Sequence, residues 1–130
     1  MPIVDKNMRI LYVDDDAKLR TLMPEVLGFH LEDRGVPATV RTAADADSAL
    51  EMVAADNYDV LVTDKDMPGT NGEQLAGHLL GRGFRGGIVI YTGWGNYSNS
   101  SLISQGVKIA HKPFMKELVD RVLEGYGHQE

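Results

Sequence analysis

Five short apolar runs punctuate this 130-residue chain at regular intervals, and the segments between them repeat with helical rather than extended periodicity. The runs are MRILYV (8–13), ATVRT (38–42), DVLVT (59–63), GIVIY (87–91) and VKIAH (107–111). Three of them are nearly continuous in Val, Ile and Leu, as strands buried on both faces are. Leu19, Leu22, Met23, Val26, Leu27, His30 and Leu31 follow i, i+3, i+4, i+7 spacing. Ala46, Ala49, Leu50 and Val53 do so more weakly, as do Leu75, Leu79 and Leu80. Phe114, Leu118, Val119, Val122, Leu123 and Tyr126 form the clearest stripe. Strands alternating with helices require right-handed crossovers, which place helices on both faces of a parallel sheet. The expected architecture is α/β, (βα)5.

Two segments fit this scheme badly. Pro24 and Gly28 fall inside the first helical stretch, where proline costs about 3 kcal/mol and is expected to kink the axis. That first helical region also reads as a few residues long. The fourth, GWGNYSNSSLIS (93–104), is rich in Gly, Asn and Ser, whose side chains compete for backbone hydrogen bonds. A short or mobile fourth helix is expected, and the tail over 127–130 is expected to fray.

Length supports one domain over 1–130, with a core over about 8–126. A net charge of −6 without a basic run argues against direct nucleic-acid binding. The absence of cysteine excludes disulfides and thiolate chemistry. No apolar stretch approaches about 18 residues and the N-terminus lacks a signal-peptide core, so no membrane association and a cytoplasmic location are expected.

Ligands of open parallel α/β sheets bind beyond the carboxyl ends of the strands. After the first run come Asp14, Asp15 and Asp16; after the third, Asp64, Lys65 and Asp66. Thr92 follows the fourth, and Lys112-Pro113 follows the fifth. Carboxylates that share a pocket repel unless a cation intervenes, and an all-oxygen donor set selects a hard ion such as Mg²⁺. A carboxylate beside that ion can attack phosphorus, while an ammonium and a hydroxyl meet the phosphoryl oxygens. A single Asp after a strand is often only a helix N-cap. Four such elements at successive strand ends are much harder to obtain by chance.

The order LYVDDD, DVLVTDKDMPGTNG, IVIYTG, HKPF resembles the response-regulator receiver domains of two-component systems, from about residue 8 to 126. That resemblance implies a flavodoxin-like five-stranded sheet of order 2-1-3-4-5. It implies that Asp64 accepts a phosphoryl group from the phosphohistidine of a histidine kinase or phosphotransfer protein. It further implies Mg²⁺ (or Mn²⁺) held by Asp15 and Asp64 directly, by Asp14 largely through water, and by the backbone carbonyl of Asp66. Thr92 and Lys112 would contact phosphoryl oxygens, with the Lys112–Pro113 peptide cis. The domain would be a phosphoacceptor switch rather than an enzyme with a separate substrate. It would act on a downstream protein or a fused output domain, and both a free-standing regulator and a piece of a longer one fit.

Three positions depart from the family pattern. The aromatic switch residue three before the lysine is Ile109, the residue two beyond Asp64 is the acidic Asp66, and the residue two beyond Thr92 is Trp94. Signalling is therefore expected to run through residues 93–104. GRGFRG (81–86) matches a dinucleotide pattern but precedes a strand, so that reading fails on context. The glycosylation matches at Asn96 and Asn99 have no bearing in a cytoplasmic chain. His30, His78, His111 and His128 lack ligand spacing, and Tyr91 reads as packing. Two alternatives remain: a haloacid-dehalogenase-type phosphatase, whose metal carboxylates would follow rather than precede the nucleophile, and a receiver acting as an unphosphorylated binding module.

Overall fold

The computed structural model describes residues 7–93 and 100–127. Trp94, Asn96, Asn99 and His128 lie outside these residues. The elements alternate throughout: β1 (Met8–Val13), α1 (Ala17–Asp33), β2 (Ala38–Ala43), α2 (Ala46–Ala55), β3 (Val60–Asp64), α3 (Gly72–Gly81), β4 (Gly87–Thr92), α4 (Ser100–Ser104), β5 (Lys108–His111) and α5 (Met115–Gly127). All strand pairs are parallel and the sheet runs β2-β1-β3-β4-β5. The order reverses between β1 and β3, which is where such sheets open a crevice for ligands.

Burial follows position in the sheet. The central strands β1, β3 and β4 are almost wholly buried, whereas β2 alternates exposed and half-buried residues as an edge strand does. One face packs Tyr12, Val62 and Tyr91 against Met23, Leu27 and Leu31 of α1 and Leu118, Val119 and Val122 of α5. The other packs Leu11, Leu61 and Ile90 against α2, α3 and Leu102 of α4. Each fully buried Leu or Ile contributes about 1.5–3 kcal/mol, so the two layers carry the fold without staples.

The first helix runs unbroken for 17 residues through Pro24 and Gly28. The buried trio Met23, Leu27 and Leu31 offsets the hydrogen bond that proline removes. Among the described residues the fourth helix covers Ser100–Ser104. Two expected core residues are not in the core: Leu22 is 51% exposed and Phe114 61%. Phe114 sits before α5 rather than on it and donates its N–H to the His111 carbonyl. No helix among the described residues is long and apolar enough to cross a membrane.

Candidate functional site

Three aspartates follow β1, and they have separate tasks. Asp16 caps α1, accepting the Lys18 N–H at 2.9 Å. The other two are thereby released from capping. Asp14 is buried, 1% exposed. Its Oδ2 accepts the Tyr12 hydroxyl at 2.7 Å and its Oδ1 accepts the Asp16 N–H at 3.0 Å. Its backbone is held as well, by its own N–H donated to the Ala43 carbonyl and by Arg20 Nη1 donating to its carbonyl. Asp15 is exposed.

Asp64 ends β3, half-buried, and the loop after it is pinned by the Gly72 N–H donating to the Lys65 carbonyl at 2.8 Å. Lys112 Nζ donates to Asp64 Oδ1 at 2.9 Å and stands 3.8 Å from Asp14 Oδ2. The lysine's backbone N–H donates to the Thr92 carbonyl at 2.8 Å, its ammonium lies 5.7 Å from the Tyr91 ring centroid, and the Lys112–Pro113 peptide is cis. Thr92 is buried at the end of β4, one residue beyond Tyr91, the ladder partner of Asp64. Asp14, Asp15 and Asp64 bring carboxylate oxygens within 4.8 Å of one another. The Asp66 carboxylate is not part of that group; its side chain is 83% exposed and lies 3.8 Å from the Lys65 ammonium.

Burial pushes the Asp64 carboxyl above its ordinary value; Lys112 pulls it down, and Asp14 and Asp15 push it up again. Burial, then the bond to Asp14, raises the Tyr12 phenol, so that hydroxyl stays protonated and donates. Burial, followed by Glu117, raises Tyr91 as well. Three clustered carboxylates facing one ammonium, with oxygen donors alone, fit a hard divalent cation such as Mg²⁺.

The structure thus gathers Asp14, Asp15, Asp64 and Lys112, sets Thr92 on the neighbouring strand end, and leaves the Asp66 carboxylate outside the cluster. Sequence reasoning missed Tyr12 and Gly72. The signal for Tyr12 was available: a hydroxyl-bearing residue two before Asp14 lies on the same side of the strand. GRGFRG spans the end of α3 and the turn into β4, away from the site. His111 is held by Glu117, which accepts its backbone N–H at 2.8 Å and faces its Nδ1 at 3.0 Å. A groove walled by Val53, Tyr58, Leu79, Arg82 and Phe84 opens at the opposite end of the sheet and touches none of these groups.

A family model of the response regulator receiver domain matches residues 10–123. The chain belongs to that family. Chemotaxis protein CheY-3 of Vibrio cholerae is 38% identical over 73 residues, 56% of this chain and 52% of that protein. Response regulator MprA of Mycobacterium ulcerans is 33% identical over 119 residues, 89% of this chain and 49% of that protein. The matched stretch therefore spans about half the length of these curated relatives. Among solved structures, the receiver domain of the Francisella response regulator 1452 superposes with a TM-score of 0.73 at 28% identity, covering 95% of this chain and 100% of that one. Response regulator TrrA of Thermotoga maritima, solved in complex with Mg²⁺-BeF, gives 0.75 at 28% identity, covering 90% and 97%. The fold and the signalling role of a two-component receiver follow, and the dehalogenase-type alternative falls away.

Proposed function

We propose that Asp64 is the phosphoacceptor of this receiver and that Mg²⁺ (or Mn²⁺) binds beside it on Asp14, Asp15, Asp64 and the Asp66 carbonyl. The observation that carries the reading is Lys112 Nζ at 2.9 Å from Asp64 Oδ1, with Asp14 and Asp15 oxygens clustered against the same carboxylate. An oxygen of Asp64 attacks the phosphorus of a phosphohistidine; the P–N bond breaks, the P–O bond of an acyl phosphate forms, and the imidazole leaves with the electron pair. Lys112 meets the charge on one phosphoryl oxygen and the Thr92 hydroxyl donates to another. The metal, when bound, supplies positive charge that lets the acidic pocket accept an anionic group.

The donor on this reading is a histidine kinase or phosphotransfer protein, and the receiver changes only its own phosphorylation state. The switched surface serves a downstream protein or a fused output domain, in a cytoplasmic setting, with 1–130 acting as one domain. The solved complex of TrrA with Mg²⁺-BeF supports the metal and the phosphoryl position by analogy.

Incubation with a small phosphodonor such as acetyl phosphate and Mg²⁺ is expected to add one phosphoryl group that hydroxylamine removes, and Asp64→Asn is expected to add none. Equal labelling of Asp64→Asn and wild type would overturn the assignment. A wild type that never labels, while still binding Mg²⁺, would favour the unphosphorylated binding module.

A further inference from the structure

The Tyr12 hydroxyl stands where no packing requirement puts it. The ring is 0% exposed among Met23, Leu27, Val62 and Leu118, and a Phe would fill the same volume. Its oxygen nevertheless reaches 2.7 Å from Asp14 Oδ2, inside the metal-binding pocket. Asp14 is itself 1% exposed, so bulk solvent competes little for that oxygen. Lys112 does not replace the hydroxyl: its ammonium is 3.8 Å away, beyond hydrogen-bonding distance, and commits to Asp64 at 2.9 Å.

We propose that Tyr12 is a positioning residue for the divalent cation, fixing the Asp14 carboxylate while leaving Lys112 free for Asp64. The proposal rests on the metal site assigned above. Two donors, the Tyr12 hydroxyl and the Asp16 N–H, hold one oxygen each, so the plane of the carboxylate is set before any ion arrives. Groups that orient metal ligands in this way typically carry about 10- to 100-fold in metal affinity. Without the hydroxyl, Asp14 Oδ2 becomes a buried acceptor whose nearest remaining cation is Lys112. The lysine would be drawn from Asp64 toward Asp14, and the pocket would lose both its orientation and its division of charge.

The test is titration of unphosphorylated protein with Mg²⁺ alone, read by calorimetry, for wild type, Tyr12→Phe, Asp14→Asn and the double variant. Tyr12→Phe is expected to weaken Mg²⁺ binding about tenfold or more. The double variant is expected to bind no more weakly than Asp14→Asn, because the hydroxyl acts only through that carboxylate. Unchanged Mg²⁺ affinity in Tyr12→Phe overturns the proposal and leaves the metal site standing, as does a full additional loss in the double variant. A wild type that binds no Mg²⁺ overturns both. A measurement without substitution reads the same bond. The shielded Tyr12 hydroxyl proton is expected as a slowly exchanging NMR resonance that moves when Mg²⁺ is added, and a resonance unmoved at saturating Mg²⁺ counts against the proposal.

Discussion

Gly72, the first residue of α3, presses its backbone onto Asp64: a Cβ built on Gly72 would lie 2.1 Å from the Asp64 carbonyl oxygen and 2.9 Å from the Lys65 Cα. Both obstacles are backbone, so no rotamer relieves them. The contact lets the Asn71 cap and its Gln74 partner start α3 hard against the end of β3, which fixes where the Asp64 side chain emerges.

Gly72→Ala is therefore expected to destabilise the fold by on the order of 1–3 kcal/mol, at the upper end because backbone must move. Urea unfolding checks the cost. Mg²⁺ binding by the folded fraction is expected to weaken too, since Asp64 would be displaced. A midpoint equal to wild type would mean that the β3–α3 junction yields freely.

Asp64 gives a pH prediction with a definite sign. Burial raises its carboxyl above the ordinary value of 3.8, so the native state holds that proton at a pH where the unfolded chain has released it. Stability from this group is fully present below the unfolded value and is lost as pH rises through the raised native value. Asp64→Asn carries no such charge. In metal-free buffer its stability relative to wild type is expected to rise from about pH 4 toward neutrality and then level off, and Mg²⁺ is expected to restore the wild type. Denaturant midpoints across that range check it; a difference independent of pH, or one that shrinks as pH rises, contradicts the assigned burial.

Removing Lys112 takes away the ammonium that pairs with Asp64 and stands 3.8 Å from Asp14. Lys112→Ala is expected to cost about 1–3 kcal/mol, less than the about 3–5 kcal/mol of a fully buried broken pair, because the lysine side chain keeps 25% of its exposure. Mg²⁺ is expected to bind at least as well, having lost a competing cation, while the phosphorylated yield falls. Those opposite changes, measured by calorimetry and by phosphodonor labelling, separate the lysine's role from that of a metal ligand. Loss of both in parallel would say that the substitution merely unfolds the pocket.

Much of this was legible in residue order alone. Met8–Val13 carries its strand with the bounds its apolar run has, and Asp14, Asp15, Asp64 and Lys112 converge because the sheet order brings those strand ends together. The strands β3 and β4 each run one residue further than their apolar runs, because ladder pairing continues through Asp64↔Tyr91 and Thr92↔His111 regardless of side-chain polarity. Val107 drops out of β5 because the turn after α4 takes its N–H, donated to the Leu102 carbonyl. Leu22 fits the helical stripe yet faces outward, since Met23, Leu27 and Leu31 already cover the strip of sheet beneath α1. The Gly72 approach is a tertiary fact, whereas the Tyr12 bond is local, between residues two apart on one strand. The first needs the end of β3 in place; the second was overlooked because Tyr12 sits inside a run read for its burial rather than for its hydroxyl.

The fourth helix is where the receiver is expected to yield. Of its residues 101–104, Leu102 is buried and its neighbours Ser101, Ile103 and Ser104 are exposed, so among these Leu102 is the anchor. Ile109, standing where the family carries an aromatic switch, packs against the same core as Leu102 and pairs in the ladder with Ile90, two residues before Thr92. A β-branched side chain there has restricted χ1 and cannot swing as a ring does, so movement of Thr92 is expected to travel through the core that Ile90, Ile109 and Leu102 share. A coupling of about 1–3 kcal/mol between Thr92 and this segment shifts its population about 5- to 150-fold. Hydrogen exchange over 100–106 is accordingly expected to change on adding Mg²⁺ with beryllium fluoride, and not in Asp64→Asn. Leu102→Ala removes the anchor at about 2 kcal/mol. It is expected to make exchange there fast in both states, which erases the difference while leaving labelling of Asp64 intact. Fluorescence of Trp94, two residues beyond Thr92 in the sequence, offers an independent reading of the same event. Exchange over 100–106 that ignores the phosphoryl mimic, while another face of the domain responds, would place the switch elsewhere.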